Sequence, residues 1–215
     1  MNRLAAARGI CRVGRKLAER QLIAGGEGNI AVRIAADRLL VTPRGLAKGD
    51  LTPDDLVEVD LSGRHIRGAR EASSELQMHL TILQARPEVQ AVVHAHPPVA
   101  TGFAAAGRAL EGDVIPELIA YVGPVPLVPY GMTGTGELSE QIKPFIAGHD
   151  ALLLANHGVV TMGRTLEEAQ YRMESVEQSA RILLVARLLC GPVRLESDDV
   201  ARLEMLREAL RGRPT

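Results

Sequence analysis

The sequence has no tryptophan, and its five aromatic residues are Phe103, Phe145, Tyr121, Tyr130 and Tyr171. It also lacks an excess of either charge: 25 Lys+Arg face 26 Asp+Glu, for a formal net charge of −1. Without a basic run or stacking platforms, the chain has neither the electrostatic footprint nor the aromatic surface that nucleic-acid binding uses, and no nucleic-acid partner is expected. Its two cysteines, Cys11 and Cys190, form neither a CxxC pair nor a disulfide framework, so the cytoplasm is the expected compartment. No run of about 18 consecutive apolar residues occurs, which excludes a spanning helix, and no membrane partner is expected. Arg3, Arg8, Arg12 and Arg15 alternate with small apolar residues and no cleavage site follows, so the N-terminus is expected to be an amphipathic helix and not a signal. Lysine is scarce. Lys16, Lys48 and Lys143 each fall in a helical or turn pattern with polar neighbours, so Schiff-base chemistry, which needs a desolvated amine, is not expected. Gly-x-Ser-x-Gly, Walker and GxGxxG patterns are also absent.

At 215 residues, 46% of them apolar and 24% charged, the chain suits a single soluble domain over residues 1–215 with a substantial core. Leu4, Ala7, Ile10, Val13 and Leu17 recur at helical spacing until Gly25, Gly26 and Gly28 break the pattern. Strand-like runs at 30–34, 38–42 and 56–61, separated by Pro43-Arg44-Gly45 and Ser62-Gly63, predict an antiparallel meander. Ser73-Ser74-Glu75 opens a helix ending near Ala85. Then follow a strand over 90–94, a helix over 99–106, a strand over 125–128, a helix over 137–147 and an apolar, central strand over 151–154. Thr165-Leu166-Glu167-Glu168 has capping-box form and launches a long helix to about Leu189, closed by Gly191-Pro192, and a last charged helix spans 197–210. Strands flanked by helices from end to end imply an α/β sheet covered on both faces.

Two of the six histidines, His94 and His96, end the run Ala91-Val92-Val93, where side chains two apart point the same way from one strand edge. A second apolar strand runs into Asn156-His157-Gly158 and places a third imidazole at a strand end. His-x-His alone is more often the mark of ordinary hydrogen-bonded histidines. With His157 and the acid of Ser73-Ser74-Glu75 added, three imidazoles and a carboxylate suit zinc or a similar divalent cation, and a displaceable carboxylate would leave a position open. His79, four residues from Glu75 on one helical face, is expected behind such a site or at the surface, and His65 and His149 are expected to be solvated. Gly25-Gly26-Glu27-Gly28-Asn29, Thr42-Pro43-Arg44-Gly45 and Ser73-Ser74 offer hydroxyls and backbone N–H groups of the kind that bind phosphate; a helix start is a ready anion site, whereas glycine turns are often only turns.

Taken in order, Gly28-Asn29-Ile30, Thr42-Pro43-Arg44-Gly45, Ser73-Ser74-Glu75, His94-Ala95-His96 and Asn156-His157-Gly158 resemble the class II aldolase/adducin family, most closely its fuculose-1-phosphate aldolase branch, over roughly residues 5–190. The resemblance implies a single three-layer α/β/α domain with a mostly antiparallel central sheet, and a homotetramer with active sites between subunits. It also implies a divalent metal, usually zinc with manganese or cobalt as alternatives, held by His94, His96, His157 and Glu75, with Glu75 doubling as the acid/base. The substrate phosphate would be held at Gly28, Asn29, Arg44, Gly45, Ser73 and Ser74. The implied reaction cleaves a ketose 1-phosphate into dihydroxyacetone phosphate and an aldehyde through a metal-stabilised enediolate. Two positions depart from the family pattern. Arg44 stands where a small hydroxyl residue is usual, and Glu117 stands where the best-known aldolase has a tyrosine that reaches the neighbouring site. Glu117 is therefore the implied catalytic partner of Glu75, with Tyr121 one turn later as a substitute. Glu117 also suits a methylthioribulose-1-phosphate dehydratase of the same family; epimerase and decarboxylase branches follow, and an adducin-like interaction module is disfavoured because all four ligands are present.

Overall fold

A computed structural model describes residues 2–211. Helix α1 (Arg3–Glu19) is capped by the Asn2 side chain, which accepts from Leu4 N, and buries Ala6, Ala7, Ile10, Val13 and Leu17 along one stripe. Strands β1 (Asn29–Ala35), β2 (Arg38–Val41), β3 (Val57–Asp60) and β4 (His65–Arg67) come next, followed by α2 (Leu76–Ala85), β5 (Ala91–Ala95), α3 (Pro98–Ala105) and α4 (Pro116–Tyr121). The chain continues through β6 (Leu127–Val128), α5 (Gly136–Ile146), β7 (Ala151–Leu154), β8 (Gly158–Gly163), α6 (Leu166–Leu188) and α7 (Ser197–Arg211). The strands form one eight-stranded sheet in the order β4-β3-β2-β1-β5-β8-β7-β6. Every neighbouring pair is antiparallel except β6 with β7.

The strands alternate, so each feeds two cores. Ile30 and Val32 of β1 and Val93 and Ala95 of β5 join one apolar cluster with residues of α1, α3 and α6. Ala31 and Val92, pointing the other way, join a second cluster with residues of α2 and α5. Among the described residues no helix is long and apolar enough to cross a membrane.

The structure corrects several sequence expectations. Strand 151–154 is fully buried yet lies one place from the sheet edge, and β1 and β5 hold the middle. Its apolar run reports that both faces are covered, not where the strand sits in the sheet. Strand β8 went unread because its run begins inside a turn motif, and α4 went unread because it has only six residues. His65, expected in a turn, is exposed on strand β4. His149, expected to be solvated, is half-buried, with Nδ1 2.8 Å from the Phe145 carbonyl.

Helix α7 buries no residue and is tied back by charge. Asp150, 2% exposed, receives Arg86 Nη1 at 2.8 Å, Arg172 Nη2 at 3.0 Å and the Arg211 guanidinium. Burial works against its ionisation, but the Arg172 and Arg211 charges and the hydrogen bonds from Arg211 and Arg86 hold its carboxyl below the ordinary 3.8. A depressed folded-state pKa stabilises the fold above the unfolded value, and this contribution is lost as the pH falls through the folded one. Asp150→Asn should therefore cost about 3 kcal/mol in urea unfolding at neutral pH, the scale for removing one partner of a buried pair. The gap from wild type should narrow once the pH drops below 3.8. A constant gap at all pH values would mean that packing, not charge, holds this node.

Candidate metal centre

The middle of the sheet delivers the histidines. In the ladder Asn29 stands opposite His94 and Ala95 opposite Val159, so the ends of β1, β5 and β8 meet. His94 stands two residues after Val92 and Asn29 two residues before Ala31, so both share the face that α2 covers. His96 leaves the strand with its backbone N–H on the Leu22 carbonyl at 3.1 Å. His157 arrives from the β7–β8 turn, where Asn156 adopts φ +58°, a left-handed conformation that asparagine tolerates better than most residues. A Cβ at Gly158 would lie 2.6 Å from the Ala95 carbonyl oxygen, 2.7 Å from His96 Cδ2 and 3.2 Å from His94 Cε1. Only glycine lets β8 come this close to the imidazoles.

The three rings sit with centroids 4.6–4.9 Å apart, and one ligand nitrogen from each lies within 4.8 Å of the others. His94, fully buried, donates through Nδ1 to the Val159 carbonyl at 2.8 Å, which leaves Nε2 with its lone pair toward the cluster. His96 Nε2 is 3.1 Å from His94 Nε2, and His96 Nδ1 faces Glu27 Oε2 at 3.5 Å. Burial, then the neighbouring His94 and His157, push His96 down to about 4, so it is neutral at physiological pH and free to ligate.

Glu75 occupies the N-cap of α2 but makes no capping bond. Its carboxylate reaches the imidazoles instead, with Oε2 3.3 Å from His94 Nε2 and Oε1 3.1 Å from His157 Nε2. Burial opposes its charge, but the adjacent His94 and His157 hold its carboxyl well below the usual carboxylate range. Asn29 Nδ2 donates to Glu75 Oε2 at 2.7 Å, and the Asn29 carbonyl oxygen takes His79 Nε2–H. Burial first, then the nearby His94, lower His79 to about 3. His79 is therefore a neutral group behind the cluster, and it touches Glu75 only through Asn29. On the other side, Glu177 of α6 accepts from the backbone N–H groups of Val99 and Ala100 at 3.1 and 2.9 Å. It caps α3, where Pro97 has no side chain to do so, and thereby anchors the segment leaving His96.

Glu75, His96 and His157 open onto a cavity of ≈ 510 Å³ whose wall includes Gly28, Asn29, Arg44, Gly45, Ser73 and Ser74. All the residues singled out for phosphate and metal thus surround one space, His94 lying just beneath its surface. Arg44 is exposed at the rim, and the Asn29 amide is committed to Glu75 and His79. Glu117 and Tyr121 lie elsewhere. Both are exposed on α4, and Glu117 lines a separate cavity of ≈ 870 Å³ with Arg20, Tyr171 and Glu174. Sequence reasoning passed over Thr133 and Gly134, whose only signal was a glycine-spaced run, and Lys48, which is 2% exposed and lines the wall. Lys48, expected in a turn with polar neighbours, does lie in one, but it is buried there, with Nζ on two backbone carbonyls.

A family model, Class II Aldolase and Adducin N-terminal domain, matches residues 8–184. The chain is 36% identical over 202 residues, 94% of its own length and 90% of the relative's, to a 5-methylthioribulose-1-phosphate/5-deoxyribulose-1-phosphate aldolase of Rhodospirillum rubrum. It is 34% identical to a 3-oxo-tetronate 4-phosphate decarboxylase of Pectobacterium atrosepticum, with 89% of each chain covered. The solved L-fuculose-1-phosphate aldolase of Thermus thermophilus superposes with a TM-score of 0.78 at 33% identity, over 90% of this chain and all of that one. The order of the motifs, the strand ends on which they meet and these near-complete overlaps agree, and the chain belongs to the class II aldolase and adducin family.

Proposed function

We propose that the protein is a cytoplasmic, metal-dependent aldolase that cleaves a ketose 1-phosphate of the L-fuculose 1-phosphate kind into dihydroxyacetone phosphate and an aldehyde. The observation that carries this reading is the convergence of three imidazoles and Glu75 at one side of a cavity whose other wall is Gly28, Gly45, Ser73 and Ser74. We read the chain as a single three-layer α/β/α domain, since its two apolar clusters lie on opposite faces of one sheet.

The donors fit a divalent cation. Three nitrogens and a carboxylate suit zinc, with manganese or cobalt as alternatives, and Glu75 Oε1 and His157 Nδ1 are buried without hydrogen-bond partners. His94, His96, His157 and Glu75 would hold the ion, which supplies a Lewis acid beside the substrate oxygens. The protein does the rest. Breaking the C3–C4 bond leaves an electron pair on C3, and Glu75, aligned by Asn29 and His79, holds the proton that C3 takes up. Ser73, Ser74, Gly28 and Gly45 offer hydroxyl and backbone N–H donors to the phosphate, with Arg44 at the rim. The C4 hydroxyl proton needs a second group. Glu117 and Tyr121 are too far round the chain to serve their own cavity, which supports a homotetramer with sites between subunits in which Glu117 of the partner subunit, or its Tyr121, takes that proton.

The test is release of dihydroxyacetone phosphate, followed with a coupled dehydrogenase, from fuculose, rhamnulose and 5-deoxypentulose 1-phosphates. Silence on all of them, with loss of water from methylthioribulose 1-phosphate, would establish the dehydratase instead. The likeness to the Rhodospirillum rubrum aldolase favours including 5-methylthioribulose 1-phosphate as an aldol substrate too.

A further inference from the structure

Lys48 is one of three lysines in the chain, and it is 2% exposed. Its short helical turn, Lys48–Asp50, packs under α1, where a Cβ at Gly14 would stand 2.3 Å from the Lys48 carbonyl oxygen. The backbone at Lys48 is therefore pinned from below, and its side chain runs to the cavity wall. There Nζ donates to the Gly26 carbonyl at 2.8 Å and the Leu46 carbonyl at 2.6 Å, bridging the two turns that carry Gly28 and Gly45.

An ammonium has three protons, and these carbonyls account for two. Among the described residues no carboxylate lies within ion-pair distance of Nζ, although almost every other strongly buried charge in the structure has an ionic partner, as Asp150 has Arg86, Arg172 and Arg211. A buried cation whose hydrogen bonds go only to neutral carbonyls, with the Glu75 carboxylate acting on it from beyond ion-pair distance, leaves room for a closer counter-charge to complete the site. The cavity is where that charge can enter, and the donors beside it, Ser73, Ser74 and the glycine turns, suit an anion with several oxygens.

We propose that Lys48 supplies the fixed positive charge of the substrate's phosphate subsite, its third N–H pointing to a phosphate oxygen, while the exposed Arg44 contributes only at the rim. This assignment rests on the sugar-phosphate reading above. With a divalent cation held by the imidazoles and Glu75 on the same cavity, a substrate would be recognised by its phosphate at Lys48 and by its oxygens at the ion.

With only three lysines, selective 15N labelling at Nζ yields three signals at most, and the buried ammonium is the one shielded from exchange with water. Titrating the wild-type protein with inorganic phosphate should shift that signal along the same saturation curve as the thermal stabilisation phosphate produces. Saturable phosphate binding that leaves it unmoved, or no phosphate binding at all, overturns the proposal. Lys48→Gln, which can still donate to both carbonyls but has no charge, should weaken phosphate binding about tenfold or more, the scale of a charge-assisted hydrogen bond in a buried site. It should raise KM for the ketose phosphate by a similar factor, with kcat held within about threefold, and Lys48→Arg should restore most of the affinity. A Lys48→Gln protein that binds phosphate as wild type does would make Lys48 a purely structural clamp and end the assignment. If no ketose phosphate is cleaved but phosphate still moves the buried ammonium signal, the aldolase reading fails and this subsite stands; if cleavage is found and the signal stays put, the reverse holds.

Discussion

His94→Ala is expected to strip the divalent metal from the protein, taking the metal content after dialysis from near one per chain to near none, and to lower turnover by about 10³-fold, the upper end for deleting a preorganised electrostatic stabiliser. The reason is geometric. His94 is fully buried, its Nδ1–H is committed to the Val159 carbonyl, and its Nε2 stands 3.1 Å from that of His96 and 3.3 Å from Glu75 Oε2. Gly158→Ala gives an independent approach, because it keeps every donor while driving a methyl group against the Ala95 carbonyl oxygen and toward His96 Cδ2 and His94 Cε1. It should weaken metal binding at least tenfold, as disturbances behind a metal site commonly do. Far-ultraviolet circular dichroism separates loss of the ion from loss of the fold. A folded His94→Ala protein with an unaltered metal load would remove His94 from the ligand set.

Glu75→Gln is expected to slow turnover by about 10²-fold or more while KM changes little, since the amide keeps the shape of the carboxylate but cannot carry the proton. The variant should still fold. The side-chain oxygen of the introduced amide can accept from Asn29 Nδ2 as the carboxylate does, and the N-cap position of α2 loses no capping bond, having none. Metal content measured alongside is informative, because Glu75 is assigned both as a ligand and as the acid/base. Turnover that falls far more than metal occupancy identifies the proton role; turnover that tracks occupancy identifies a ligand alone; normal turnover would assign the proton to another group.

Much of the site was legible in the sequence because its parts lie at the ends of regular elements. A strand's two-residue period announced that His94 and His96 share a face, and the apolar run 151–154 announced another strand end before His157. The reverse held for groups whose neighbours come from remote segments. Glu75 was expected among the ligands, but that its carboxylate leaves the N-cap of α2 unbonded and turns to histidines 19 and 82 residues on is decided by packing. His79, four residues from Glu75, was expected behind the site or at the surface, and strand β1 decides between the two by bringing Asn29 to it. Lys48 has polar neighbours in sequence and is buried only because α1 and two glycine turns close over it.

What the sequence determined by itself was local: the helical stripes, the turns and the residue types able to bind a divalent cation and an anion. Each of these depends on interactions within a few residues, where backbone sterics and side-chain period decide the outcome. The tertiary structure decided which of these groups meet. The antiparallel register sets Asn29 beside His94 and Ala95 beside Val159, and Gly158 admits the third strand. It also leaves Glu117 on another surface and Lys48 inside the wall. Burial and charge pairing depend on segments distant in the chain, so they exist only once those segments have packed together.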